Sequence, residues 1–269
     1  MTSERTESKA LMVALTSMNA VLYFAGSYVT SYIESPYGIG QFRPAVVIPF
    51  YFAVVFGPYV GGVGAAIGTL LASILRYGQP WLSLVSGTPA NFISFYLVGL
   101  LLHKKFSWTR FILVAIVTSL IGNSIAALGV LLAAYIGLYP PIQFVTMLPF
   151  YSQLGFVIGL TLFWFITMSP FTLFLIPILL KSTTVFLPEN LAKQLSSINI
   201  EKEYKTLSIT LLIIGFLSLT TSYAATSYPS ILGAASRTTM EAIKTLFLII
   251  GVAFVITSII LLIVAKIRR

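Results

Sequence analysis

Apolar residues in this chain run in long blocks broken by short polar or Pro/Gly-containing stretches, and no stretch shows the every-second-residue alternation of a membrane barrel strand. Blocks of about 20 apolar residues mark spanning helices, because a rise of roughly 1.5 Å per residue has to cross about 30 Å of hydrocarbon. Eight segments fit that pattern: Ala10 to Thr30, Pro44 to Phe56, Pro58 to Arg76, Pro89 to His103, Arg110 to Ile136, Tyr151 to Leu180, Leu207 to Ser227 and Thr239 to Ala265. The second and fourth are short. As a straight helix, Arg43 to Phe56 rises only about 20 Å, so it spans a thinned region, begins earlier near Gly38, or is re-entrant.

Composition assigns the class. Of 269 residues, 58% are hydrophobic and 9% charged, with a mean hydropathy of +0.97, whereas soluble domains are about a quarter charged. The expected fold is all-α, a polytopic membrane helix bundle. The tail Met1 to Lys9 carries two Glu and two Lys/Arg before a 21-residue apolar helix. A cleaved signal peptide would have a shorter core followed by a polar mature chain, so the first helix is expected to stay.

Charge then orders the crossings. If every segment spans, Arg5, Lys9, Lys104, Lys105, Arg110, Lys181, Lys193, Lys202, Lys205, Lys266, Arg268 and Arg269 share one side, against Arg43, Arg76, Arg237 and Lys244 on the other. The accumulation of Lys and Arg on the cytoplasmic side puts both termini inside a multi-pass protein of the cell membrane. A re-entrant second segment would turn the Lys104–Arg110 cluster outward, which favours full crossing. The net charge of +9 is accounted for by topology and by the anionic bilayer surface, with no call for nucleic acid.

Between Arg43 and Gly99 the apolar text is broken by Pro44, Pro49, Pro58 and Pro89 and is rich in Gly and Ala. Broken segments are tolerated in a bilayer only where protein or a cavity covers the freed backbone groups, so this region points to a binding site. Gly57, Gly61, Gly64, Ala65, Gly68 and Ala72 recur at helical spacing. Such a stripe lets another backbone approach closely and could also shape a cavity floor. The longest polar interruption, Lys181 to Thr206, reads as a cytoplasmic connector with a short amphipathic helix after Pro188. Three parts follow: a membrane unit over 1–181, the connector over 182–206 and a two-helix extension over 207–269.

Missing residues limit the chemistry. The chain has no Asp, no Cys and one His, His103, placed at a helix end beside Lys104 and Lys105. Metal sites need clustered His, Cys or carboxylates, and proton relays need ionisable groups inside the membrane. No phosphate-cradling Gly-x4-Gly-Lys-Ser/Thr loop occurs either. No cofactor, metal or catalytic residue is therefore expected, and energy for any transport has to come from a partner or an ion gradient.

The order of features resembles the substrate-binding S components of energy-coupling-factor vitamin transporters. The residues that carry the resemblance are Ala10-x3-Ala14, the loop Ser31 to Phe42, the stretch AVVFGPYVGGVGAAIGTLLASIL from Ala53 to Leu75, and GTPANFISFYLVGLL from Gly87 to Leu101. The match covers residues 10 to 105; residues 110 to 181 match by helix count and topology. Thr69 stands where the family usually has an acidic residue, and the last two helices have no counterpart in a six-helix S component.

The resemblance implies a six-helix S-component-like unit plus two additional C-terminal transmembrane helices. It further implies contact of Ala10 and Ala14 with a transmembrane coupling subunit, ATPases acting in trans, and a vitamin-like small molecule bound in the outer half under the first loop. Counted from the topology, the outward-facing candidates are Glu34, Tyr37, Gln41 and Arg43 in that loop, Trp81 and Asn91 between the third and fourth helices, and Tyr151 and Gln153 at the start of the sixth. Asn123 and Trp164 lie deeper. Trp81, Tyr37 and Tyr151 also suit an interfacial aromatic belt, and Glu34 could pair with Arg43 to close the loop. Asn91 is the leading candidate, since an amide at the outer end of a helix needs partners. The residue set suits a small, largely uncharged, ring-containing ligand. A sensory or assembly module, a stand-alone carrier and an intramembrane enzyme are the alternatives. Of these the first is the stronger, although no output domain follows Arg269.

Overall fold

The computed structural model describes residues 2–35, 37–196, 200–227 and 237–267. Arg268, Arg269 and residues 197–199 of the expected connector lie outside them. Ten α-helices make up the described fold: α1 (Thr2–Val29), α2 (Val47–Phe56, led by a 3-10 turn at Pro44–Val46), α3 (Pro58–Tyr77), α4 (Trp81–Val85), α5 (Gly87–Leu102), α6 (Trp108–Tyr135), α7 (Phe150–Ser182), α8 (Glu189–Ser196), α9 (Ile200–Ser227) and α10 (Arg237–Ile267). Six stretches are long and apolar enough to cross a membrane, namely Lys9–Val29, Pro58–Tyr77, Trp108–Tyr135, Phe150–Ser182, Lys205–Tyr223 and Lys244–Val264. Pro44–Phe56 and Gly87–Leu102 are shorter apolar helices.

Several boundaries differ from the sequence expectation for physical reasons. The second segment does not begin near Gly38; the chain turns into helix at Pro44, whose fixed φ suits a first helical position. The stretch between α3 and α5, read as a loop, contains α4, opened by Gln79 Oε1 accepting from the Trp81 amide at 2.7 Å. Helix α9 starts at Ile200 and not at Leu207, because Glu201, Lys202, Glu203 and Lys205 are good helix formers that need no hydrocarbon around them. The helix expected after Pro188 is α8. Its Gln194 accepts from the Phe106 amide at 2.6 Å and donates to the Lys104 carbonyl at 3.4 Å, which pins it to the α5–α6 turn.

These contacts define two ends. The proximal end carries the start of α1, the α5–α6 turn and α8. The distal end carries loop 30–43, α4 and the 3-10 segment Pro140–Met147, joined by Arg76–Glu34 at 2.6 Å and by Tyr77 packed edge-on to Tyr139.

Helix α3 is the hub, packed against α1, α2 and α5. Its small residues serve three directions, not one face. Gly61 lies on Ala53 of α2, Gly62 on Phe92 and Tyr96 of α5, and Gly64 and Gly68 on Asn19, Ala20 and Tyr23 of α1. Gly57, at φ +97°, supplies the positive φ that reverses the chain between α2 and α3, and Pro58 restarts the helix. The His103 ring lies 3.5 Å from where a Gly57 Cβ would stand and bonds the Val54 carbonyl through Nδ1 at 3.0 Å, closing that turn. Asn19 donates from α1 to the Val60 carbonyl at 2.8 Å.

Helices α9 and α10 form an antiparallel pair with its own fastening. Ser208 and Ser258 each donate to the other's carbonyl at 2.8 Å, and Ser218 donates to the Phe247 carbonyl at 2.7 Å. Between these clasps Gly215 and Gly251 face each other's carbonyl oxygens. Small residues seven apart in both helices thus let the backbones touch along one seam. Phe247 and Phe254 of α10 meet Phe163 and Phe174 of α7 edge-on, which seats the pair on the bundle.

A Cβ at Gly68 would stand 2.8 Å from the Ala20 carbonyl oxygen and 3.2 Å from the Phe24 nitrogen, both backbone atoms. Gly68→Val should therefore destabilise the detergent-solubilised protein by about 1–3 kcal/mol, read as a lowered unfolding midpoint. A midpoint equal to that of the parent protein would show that α1 does not sit against α3 as described.

Candidate functional site

The broken segment and the helices around it leave a cavity of about 90 Å³, enough for several waters. Its wall is made by Tyr23 of α1, Arg43 and Phe50 of the α2 region, Tyr77 of α3, Ser83 and Ser86 of α4, Asn91 and Ser94 of α5, Thr118 and Asn123 of α6, and Trp164 and Thr172 of α7, among others. On α3 only the distal residues Ser73 and Tyr77 reach it. The small residues from Gly57 to Ala72 do not, so they form no cavity floor. Polar groups are plentiful in an otherwise apolar wall, as in small-molecule sites.

Loop 30–43 roofs the distal end. Glu34 and Gln41 pair across it as an isolated antiparallel bridge, and Ser35 N and Phe42 N donate to the Gly40 and Ile33 carbonyls at 2.9 and 2.8 Å. Ser35 Oγ also donates to the Ile39 carbonyl, and Tyr37 N donates to Ser35 Oγ. The loop is thus held within itself, and its tip brings Ile39 and Gly40 into the cavity wall. Three contacts seat it on α7: Tyr37 on Phe156 with ring centres 4.7 Å apart, Gly40 on Trp164, and Phe42 on Phe171 at 5.6 Å.

Arg43, Asn91, Asn123 and Trp164, widely separated in sequence, meet in the cavity wall. The other candidates take different positions. Glu34 holds Arg76 and not Arg43, so the expected Glu34–Arg43 closure is replaced by a bond from the loop to the end of α3. The reason is geometric: the loop turns Arg43 towards Gln41, whose Oε1 accepts from Arg43 Nε at 3.3 Å and Nη2 at 2.9 Å. Gln41 is buried under the loop beside Tyr77. Tyr37 is buried against α7 outside the wall, its phenol without a hydrogen-bond partner and its pKa pushed up by burial. Gln153 is buried too, accepting from the Tyr135 hydroxyl at 2.7 Å and donating to the Leu148 carbonyl at 2.9 Å, which ties α6 to the start of α7. Trp81 and Tyr151 are exposed, at 56% and 84%. Ala10 and Ala14 lie on an exposed stretch of α1.

Within the wall the amides differ. Asn91 accepts from the Tyr23 hydroxyl at 2.9 Å and donates to the Gly87 carbonyl at 2.7 Å, so both ends are engaged by the protein. Asn123 donates to Ser119 Oγ at 3.2 Å. Among the described residues its carbonyl oxygen and the Trp164 indole N–H have no protein partner. The wall hydroxyls of Ser and Thr that sequence reading did not single out are Ser73, Ser83, Ser86, Ser94, Thr118, Ser119 and Thr172. Ser86 donates to the Leu82 carbonyl at 2.5 Å, and Ser94 donates to the Thr118 carbonyl at 2.9 Å across the α5–α6 contact. Single hydroxyls inside apolar helices are too common for sequence to flag.

Among the described residues no three His, Cys, Asp or Glu side chains converge on a metal position. The arrangement offers hydrogen bonds, one cation and aromatic surface to a small molecule. No protein-family model, curated protein or solved structure matches the chain.

Gly40 has φ +84°, and a Cβ there would fall 2.5 Å from Trp164 Cζ2. Gly40→Ala should lift the loop from α7 and increase amide hydrogen exchange over residues 33–42; unchanged exchange would mean that the loop does not depend on this contact. Tyr37→Phe removes a buried hydroxyl without a partner, whose burial costs about 1–3 kcal/mol. It should leave the unfolding midpoint unchanged or raised, and a lowered midpoint would reveal a partner for that hydroxyl.

Proposed function

We propose that this chain is the substrate-capture subunit of an ATP-driven micronutrient importer in the cell membrane. It takes a small molecule from outside into the cavity beneath loop 30–43. The observation that carries the reading is a largely apolar cavity with a few polar groups, at one end of an apolar bundle and roofed by an internally bonded loop that rests on α7. In this reading residues 1–181 form a six-helix binding unit, residues 182–206 a cytoplasmic connector, and residues 207–269 a two-helix extension whose sequence resembles nothing in an S component. α2 and α5 cross with the six longer helices, giving eight crossings. The proximal end, with Lys104, Lys105, Arg110, Lys181 and Lys193, faces the cytoplasm with both termini, and the cavity opens outward.

Nothing in the sequence hydrolyses a nucleotide by a phosphate-cradling loop. Paired ATPases and a transmembrane coupling subunit supply the energy in trans, with Ala10 and Ala14 on the exposed side of α1 as the contact for the coupling subunit. Capture requires no bond-making, so the chain itself acts as a binding protein and not as an enzyme.

Two measurements test this. The chain contains no Cys, so single cysteines report on topology directly. Met147→Cys, at an exposed position of the distal end, should react with an impermeant maleimide in intact cells and Lys105→Cys only after lysis; the reverse pattern would overturn the orientation. Asn123→Ala should weaken retention of the small molecule that co-purifies with the protein by roughly 5- to 20-fold, the effect of one lost hydrogen bond. Accumulation of that molecule by proteoliposomes holding this chain alone under a sodium or proton gradient would replace the proposal with a stand-alone carrier.

A further inference from the structure

The charge balance at the cavity goes beyond the ligand class suggested by sequence. Arg43 is the sole ionised side chain in the wall, and no carboxylate lies within ion-pair distance of it among the described residues. The nearest acid in sequence, Glu34, is committed to Arg76 at 2.6 Å, with both side chains about a quarter exposed. Arg76 is further held over the Tyr32 ring, 4.7 Å from its centre. The distal trio of Arg43, Arg76 and Glu34 therefore carries one positive charge in excess, and it resides on Arg43.

That cation is only partly satisfied. Its Nε and Nη2 both donate to the one oxygen of Gln41, a neutral acceptor, and Nη1 has no protein partner among the described residues. A half-buried guanidinium without a counter-charge leaves pairing capacity unused, which a bound anion would take up. Its fork matches a carboxylate better than a point acceptor. Beyond it, the Trp164 indole N–H and the Asn123 carbonyl oxygen offer one further donor and one acceptor, flanked by the Tyr23, Tyr77, Phe50 and Phe95 rings.

We propose that the cavity is selective for small monoanions: a ring compound bearing one carboxylate, its anionic end at Arg43 under the loop and its ring towards Trp164. The proposal rests on the capture reading and replaces the uncharged ligand expected from composition. A dianion or phosphate is disfavoured, because a single arginine balances a single charge.

The test uses the full chain in a neutral detergent. Trp81→Phe and Trp108→Phe together leave Trp164 as the only tryptophan, since the chain has three, and its emission is quenched with iodide, caesium and acrylamide. Iodide should quench at least about threefold more efficiently than caesium, because an uncompensated cation raises the local anion concentration. Arg43→Gln should bring the two ions to parity while Arg43→Lys keeps the preference. Equal quenching in the parent, or a preference that survives Arg43→Gln, would overturn the assignment of charge. In parallel, native mass spectrometry of the unmodified protein identifies the molecule it carries. A carboxylate lost in Arg43→Gln supports the proposal. A neutral or cationic molecule sinks it while leaving capture intact, whereas failure of acrylamide to reach Trp164 would show that the cavity is closed and remove the capture reading as well.

Discussion

The bundle depends on how closely three helices approach α3. In hydrocarbon the hydrophobic effect does not drive helices together, so association relies on van der Waals contact between backbones and on a few hydrogen bonds. Gly61, Gly62, Gly64 and Gly68 provide that contact in directions that diverge around α3, and Gly99 against Pro58 fixes the proximal turn in the same manner. Beyond the glycines, Ser73 and Tyr77 of the same helix line the cavity, so tight packing and open space fall on successive stretches of α3.

In the tight part Asn19 bonds the Val60 carbonyl and His103 the Val54 carbonyl, while Thr69 Oγ1 and Asn19 Oδ1 are buried without a partner among the described residues. Around the cavity some are spent and some are left over. Asn91 is spent twice, which makes it a brace between α1 and α5. Arg43, Asn123 and Trp164 retain capacity, and residual capacity, not mere position in the wall, distinguishes a group able to orient a ligand.

Much of this architecture could be read from the residues. Blocks of apolar text located the six helices long and apolar enough to cross a membrane, because hydrocarbon thickness leaves little freedom in helix length. Pro and Gly located the breaks, and the distance between Arg43, Asn91, Asn123 and Trp164 in sequence did not obscure their being candidates. Partner choice was not legible. Whether Glu34 takes Arg43 or Arg76 depends on how loop 30–43 turns, which is set by Gly38 and Gly40 at positive φ and by the bridge between Glu34 and Gln41. The directions of the glycine stripe were equally hidden, since a spacing of three or four places residues near one face without saying how many neighbours share it. Gln153 and Tyr37 looked like site residues because large polar side chains near a membrane surface are scarce, yet a helix start and a loop seat need them as well.

The loop's two attachments differ in kind, and this determines how the cavity can be entered. Towards α3 it is held by the partly exposed Glu34–Arg76 pair, worth at most about 1 kcal/mol, and by the stacking of Arg76 over the Tyr32 ring. Towards α7 it is held by aromatic contacts at Phe156, Trp164 and Phe171 that shed apolar surface from water and together outweigh the ion pair. On the capture proposal, the loop is expected to part first at the α3 side, nearest Tyr77 and Tyr139, while it still rests on α7. Arg43 sits where the loop meets the 3-10 turn, fixed by chain continuity to α2 on one side and bonded to Gln41 on the other. On the capture proposal, opening at the α3 side would present the cation to an entering molecule before the rings deeper in the wall, so that the electrostatic contact precedes the apolar one.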